Sequence, residues 1–265
     1  MSVHMFKLEC LTDLHVGNGE TTYGIIDNEV EKDTVLTDVP IIHASGVKGA
    51  LREHFERLWD ENDKLVIKAF CNREEMVKGI FGDKDNPGGY KFLNAGLIAR
   101  PLRVSDGSKP YILTTSEDIL QNFSSLMSGL GLSGFYSYEP LNFVDDKMFL
   151  CNVKTIREIE GKGVGIFNPS DYRMSGIQKL IGNDFAIAKT LSDFDLPTRA
   201  RNALKDGKSE NIWYEELVPH KSIFYFIVIT PDSECKLCFE EGTPVQFGGN
   251  ASIGNGFTRI EKVVL

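Results

Sequence analysis

The chain has 265 residues, of which 42% are hydrophobic and 25% charged, with a formal net charge of −9. That suits one large globular domain or two small ones with a sizeable core. The acidic balance excludes a surface that is basic throughout, as free nucleic-acid binders often carry, but it leaves room for a local basic groove.

The opening MSVHMFKLE lacks the basic segment and apolar core of a signal peptide. Val3–Thr12 alternates, with Phe6, Leu8 and Cys10 facing one way and Lys7 and Glu9 the other, which predicts a half-buried strand. Asp13–Glu20 is a loop with two glycines, and an acidic stretch follows with Asp27, Glu29, Glu31 and Asp33. Val39-Pro40-Ile41-Ile42 reads as a short extended piece. Ser45 then fits the N-cap of a helix whose buried stripe is Val47, Leu51, Phe55 and Leu58, with Lys48 and Arg52 on another face. Lys48 sits in the first turn, where the helix dipole disfavours a cation. Beside Gly46 and free backbone N–H groups, it is either a partner for an external anion such as phosphate or a solvated lysine.

Leu65–Phe81 predicts more helix, Asp83–Gly89 a turn-rich loop, and Tyr90–Val104 and Tyr111–Thr114 strand pieces. Ser116–Met127 predicts a helix capped by Ser116. Beyond the break at Gly129–Gly134, a strand is expected over Val153–Ile159, a turn at Gly161–Gly165, a helix over Tyr172–Ile181 and a strand over Phe185–Leu191. Thr198–Lys208 carries Arg199, Arg201, Lys205 and Lys208 around an Asp206-Gly207 turn, the pattern of a protruding basic hairpin. Ser222–Thr230 is a continuous apolar run, expected to be a strand covered on both faces and too short to span a membrane. Five cysteines at irregular spacing point to a reducing cytoplasm, and Cys235 and Cys238 to core thiols rather than a zinc site.

Gln246–Phe257, QFGGNASIGNGF, holds Gly248, Gly249, Gly254 and Gly256 with Asn250 and Asn255 between them. Such a loop can present N–H groups to an anion, or can be a glycine-rich hairpin turn. The β-branched TRIEKVVL after it reads as a terminal strand, whereas a P-loop or Rossmann loop opens onto a helix. Strands and helices intermix without a clean linker, which favours a single α+β domain over residues 1–265 with an antiparallel or mixed sheet.

Several separated motifs then fall into one order: LHVGNG (Leu14–Gly19), GIIDNEV (Gly24–Val30), PIIHASGVKGALREHF (Pro40–Phe55), IFG (Ile80–Gly82), GYKFLNAGLIARPLRV (Gly89–Val104), WYEELVP with SIFY (Trp213–Tyr225) and QFGGNASIGNGF. Together they resemble the RAMP superfamily, and more narrowly the backbone subunit of type III-B (Cmr-type) CRISPR effector complexes. The correspondence is collinear over nearly the whole chain, except about Gly129–Ile181. The resemblance implies a ferredoxin-like (RRM-like) palm with a helical insertion at about residues 60–130 and a β-hairpin thumb at about 193–213. It implies copies stacked along a guide RNA beside other effector subunits in the cytoplasm. It also implies endoribonuclease cutting of target RNA with a divalent metal, Mg2+ being the expected ion. The family's catalytic aspartate falls on Asp27, which is also the possible metal ligand. Further residues near the cut fall on His15 and Glu215, and the wedge between bases falls on the hairpin with Arg199 and Arg201. His15 is open to acid–base, stacking or structural roles. Glu215 is open to placing Asp27 or the RNA, or to pairing with the hairpin arginines. Guide contacts are expected from Ser45, Gly46, Val47, Lys48 and Arg52, and from Gly248, Gly249, Asn250, Gly254, Asn255 and Gly256. These would read phosphate and sugar rather than bases. The chain departs from the family pattern at Leu217, commonly Tyr, at Asn94-Ala95, often Asp-Ala, and at Glu29-Val30, where a proline is usual.

Overall fold

The computed structural model describes every residue except 20–24, 37, 62–72, 106–108, 144–146, 154–155, 157, 168–173, 193, 234, 238 and 240–241. The elements run β1 (Ser2–Cys10), β2 (Ile41–Ile42), α1 (Ala44–Glu61), α2 (Arg73–Phe81), β3 (Lys91–Phe92), β4 (Ala95–Arg103), β5 (Tyr111–Ser116) and α3 (Glu117–Gly129). They continue with β6 (Met148–Cys151), β7 (Glu158–Ile159), β8 (Lys162–Phe167), α4 (Ser175–Ile181), β9 (Phe185–Ala188), β10 (Thr198–Lys205), β11 (Lys208–Glu216), β12 (Ile223–Thr230), β13 (Val245–Gln246) and β14 (Phe257–Val263).

One mixed sheet runs β13-β14-β1-β12-β4-β5-β9-β6-β8-β7, with β2 also on β4 and β3 also on β12. From β14 to β5 every neighbouring pair is antiparallel, and the parallel pairs β5–β9 and β6–β8 lie in the outer part. β12 lies inside the sheet between β1 and β4, as its unbroken apolar run requires. Phe226 stacks on Phe6 at 5.1 Å on one face, and Phe239 joins Phe6 to Phe55 of α1 there. Tyr225 meets Phe123 of α3 edge-on at 4.6 Å on the other face. A single hydrophobic core therefore runs through both faces of the sheet.

Ser116 caps α3 as expected, its side chain accepting the N–H of Ile119. Ser45 is not a cap. Helix α1 begins one residue earlier, and the Ala44 N–H is taken by the Asn94 side chain at 2.9 Å. The cap comes from across the fold because β2 pairs with β4 and brings Asn94 to the helix start. Gly161–Gly165 is also not a turn. Glu160 and Gly161, both at positive φ, make the turn, and the following residues form β8. Of the strand expected at Val153–Ile159, β7 keeps Glu158–Ile159, while residues 154–155 and 157 lie outside the described residues. The same holds for residues 65–72 and 172–173 of two expected helices and for Cys238, whereas Cys235 is half-buried. In the 60–130 stretch the helices α2 and α3 flank strands β3 to β5, so it is not helical throughout. The hairpin expected at about 193–213 spans Thr198–Glu216, as a two-stranded sheet of its own.

Candidate nucleic-acid interface and cleavage site

The root of the β10–β11 hairpin is where the separated motifs meet. Asp206 and Gly207 have φ of 51 and 74, as a tight Asp-Gly turn requires. The register sets Arg201 opposite Trp213 and Arg199 opposite Glu215. Alternation along the strands then divides the hairpin into two faces. One carries Arg199, Arg201, Trp213 and Glu215. The other carries Ala200, Asn202, Ile212 and Tyr214, of which Ile212 is 55% and Tyr214 42% exposed. Leu204, next to a bulge near the tip, is 67% exposed.

Asp27 lies beside the root. Its Oδ2 accepts the Tyr214 N–H at 2.8 Å, while the N–H groups of Asp27 and Asn28 both donate to Tyr214 O. Its second carboxylate oxygen has no hydrogen-bond partner among the described residues. Glu215, one residue along, is 5% exposed and filled. It accepts from Trp213 Nε1 at 2.9 Å, Arg201 Nη1 at 3.0 Å and Asn250 Nδ2 at 3.1 Å. Burial alone would raise its pKa, but the Trp213 and Arg201 hydrogen bonds and the nearby positive charge hold it below the usual carboxylate range. His15 places Nδ1 2.8 Å from the Glu216 carbonyl. A carbonyl can only accept, so Nδ1 carries a proton. Nε2 lies against Gly17, where an added Cβ would come within 3.1 Å of it.

The structure thus brings Asp27, His15 and Glu215 to consecutive residues of β11. It also draws in the glycine loop, since Asn250, in a left-handed conformation, reaches Glu215. The loop's glycines serve close approach. At Gly248 (φ +71) a Cβ would sit 2.2 Å from the His15 carbonyl, and at Gly256 (φ +82) 1.9 Å from that of Phe247. Most of the loop's N–H groups are used within the chain. Phe247 donates to Gly256 O, Gly249 to His15 O, Ile253 and Asn255 to Asn250 O, Gly254 to Ala251 O, Gly256 to Asp13 O and Phe257 to Thr12 Oγ1. Among the described residues, the N–H groups of Gly248, Asn250, Ala251 and Ser252 have no partner. The buried Asn255 Nδ2 has no partner.

Helix α1 packs against β13, the strand that opens into this loop. The N–H groups of Ser45 and Gly46 have no partner among the described residues, whereas Val47 donates to His43 O. Lys48 is half-buried and without an ion pair among the described residues. Arg52 is held within the chain by Glu56 at 2.8 Å and the Gly82 carbonyl. Arg199 and Arg201 are likewise paired, with Asp13 and Glu215.

No group of three or more His, Cys, Asp or Glu side chains gathers to hold a metal among the described residues. Glu215 is saturated, whereas Asp27 keeps a carboxylate oxygen without a partner among the described residues. This donor set does not form a resident site. A lone carboxylate oxygen such as that of Asp27 could contribute one hard oxygen ligand to a hydrated divalent ion.

Three features escaped the sequence reading. Asn94 as a distant cap and Asn250 as the link to Glu215 have no local signature. Glu216 did have one, as the second acid of WYEE. It is 5% exposed, accepts the Val30 N–H and pairs with Lys32 at 3.4 Å.

A family model described as the RAMP superfamily matches residues 7–259. The CRISPR system Cmr endoribonuclease Cmr4 of Pyrococcus furiosus is 25% identical over 301 residues, which cover 98% of this chain and 95% of that protein. Among solved structures, a type III-B Cmr-beta complex bound to cognate target RNA contains a chain with a TM-score of 0.73 and 19% identity, over 99% of this chain and 97% of that one. Oligomeric Cmr4 from Pyrococcus furiosus aligns over the whole of both chains with a TM-score of 0.67 and 19% identity. The structural likenesses establish the fold.

Proposed function

The chain belongs to the RAMP superfamily, and on that premise we propose that it is the repeating backbone subunit of a type III-B CRISPR ribonucleoprotein. In this reading it binds guide RNA, stacks with copies of itself and other effector subunits in the cytoplasm, and cuts complementary target RNA at regular intervals. The full-length relation to a protein named a Cmr endoribonuclease supports it. The strand order β14-β1-β12-β4, antiparallel throughout with α1 between β1 and β4, supports reading these elements as a ferredoxin-like palm and the hairpin as its thumb.

The observation that carries the cutting role is Asp27. One oxygen is pinned by the Tyr214 N–H, and the other is free at the root of the hairpin. RNA carries its own nucleophile, the 2′-hydroxyl, and cleavage needs that oxygen in line with the phosphorus and relieved of its proton. The free oxygen of Asp27 orients the hydroxyl and accepts its hydrogen bond. Tyr214 fixes the carboxylate so that no reorganisation is needed during the reaction. His15 and Glu215 act by holding β11 in place, since His15 Nδ1 and all the Glu215 contacts face protein groups. Magnesium, held by Asp27 and RNA phosphates, would supply charge neutralisation at the scissile phosphate. The exposed face of Leu204, Ile212 and Tyr214 offers bases an apolar surface to stack on. Guide phosphates meet the open N–H groups of Ser45, Gly46 and Gly248 together with Lys48. Because Arg52 is already paired, this groove is weakly charged and tolerant of sequence.

The test is Asp27→Asn in the assembled complex with complementary RNA. Asparagine still accepts from the Tyr214 N–H, so target binding should match the parent while cleavage falls by about 10²–10⁴-fold. Asp27→Ala should also lose cleavage and loosen the hairpin root. Equal cleavage by parent and Asp27→Asn would reduce the subunit to a guide-binding scaffold or move the cut to another residue.

A further inference from the structure

The hairpin stands clear of the main sheet, so something other than a hydrophobic core must fix its angle. On β11 that role is shared among Asp27, His15 and Asn250. On β10, Arg199 is the side chain that reaches the body among the described residues, and its partner is Asp13 at 2.5 Å. Asp13 does more than pair with it. Its Oδ2 takes Arg199 at the start of β10, and its Oδ1 takes the His220 N–H at 2.9 Å, just beyond the end of β11. The His220 ring nitrogen Nδ1 lies 3.4 Å from the same Oδ1. Each carboxylate oxygen thus holds one leg of the hairpin. The Asp13 carbonyl accepts the Gly256 N–H at 2.8 Å, and Leu14 exchanges both backbone hydrogen bonds with Val218. One residue therefore touches the entering strand, the turn that follows the leaving strand and the glycine loop.

We propose that Asp13 is a positioning residue for target cleavage, setting the angle of the hairpin on the palm and, through Tyr214, the place of the Asp27 carboxylate. The inference rests on the ribonuclease reading above. Its physical basis is the two-oxygen clasp. A single acceptor could hold either leg but not both, and two separate residues would let the legs drift against each other. The Arg199–Asp13 pair is partly solvated, with side chains 47% and 23% exposed, so its contribution is that of a screened pair.

Asp13→Asn keeps an oxygen for the His220 N–H and removes the charge facing Arg199. In the full chain without RNA, hydrogen exchange at the Asp27 and Asn28 amides, both bound to Tyr214 O, should quicken by roughly two- to fivefold, with β1 and β12 amides unchanged. Arg199→Gln should do the same, and the double variant should add nothing further. In the assembled complex, Asp13→Asn should bind guide and target like the parent but yield a broader set of product ends. Parent-like exchange at Asp27 and Asn28, or an equal rise across β1 and β12, would overturn the proposal, as would product ends identical to the parent's. If the parent complex itself never cuts, the ribonuclease reading fails, and the exchange experiment still decides whether Asp13 seats the hairpin.

Discussion

β12 and the β10–β11 hairpin are both built of extended chain, and they are stabilised in opposite ways. β12 has seven of its eight residues buried and core on both faces. The hairpin has its first seventeen residues outside the core, with burial beginning at Glu215 and Glu216. An isolated two-stranded hairpin is marginal in water. Its placement therefore depends on polar contacts at the root: Asp13 to Arg199, Asp27 to Tyr214, His15 to Glu216 and Asn250 to Glu215. The difference teaches that stability and alignment reside in separate parts of this molecule. Apolar contacts keep it folded, and a handful of hydrogen bonds aim the hairpin. Damage to one need not damage the other.

The largest expected break is Phe226→Ala. Removing a fully buried ring that stacks on Phe6 should lower global stability by about 3–5 kcal/mol in urea unfolding and loosen body and hairpin together.

Acid should separate the two regions. Burial against Phe55 and Phe239, reinforced by the charge of Arg57, lowers the His54 pKa to about 4, below its ordinary 6.5. The folded state then binds fewer protons than the unfolded one between those values, so stability falls as pH drops from 6.5 towards 4, by roughly 2–4 kcal/mol. His54→Leu should flatten that decline. Glu215 is also lowered, so its contribution is complete above the unfolded carboxylate value of about 4.3 and is lost only as pH falls below it. Urea midpoints should therefore drop before exchange at the Asp27 amide quickens. The reverse order would mean that the hairpin root answers to a group other than Glu215.

A smaller effect is expected from Gly256→Ala. Its positive φ and the 1.9 Å approach to the Phe247 carbonyl should cost about 1–3 kcal/mol, measured by the same urea unfolding.

Much of this architecture was readable from residue order. The apolar run of β12, the Asp-Gly turn of the hairpin, the Ser116 cap and the terminal strand after the glycine loop all carry local signals, and the structure keeps each of them. Asn94 capping α1 could not be read, because the cap lies fifty residues from the N–H it satisfies. The segment around Gly161–Gly165 misled because glycines that favour turns also sit in a strand when a partner supplies the ladder, as β6 does for β8. In the site, WYEE and Asp27 were found through the ordered motifs, but their connection was not. Nothing in the spacing of Asp27, Tyr214 and Asn250 announces that three parts of the chain converge on β11. The glycine loop was read as a cradle for a ligand, and half of its role proved to be clasping the His15 loop.

The position of β1 carries one more consequence. The first strand of the chain lies between β12 and β14, with Met5 opposite both Ile227 and Val263. A nascent chain leaving the ribosome therefore carries β1 unpaired until β12 and β14, more than two hundred residues later, have been made. Contacts of such separation make folding slow, and the segment bearing Asp13, His15 and Asp27 has no scaffold while it waits. The residues proposed for cutting thus gain their arrangement only after β12 and β14 have been made, and fragments that stop short of those strands carry the residues without the geometry.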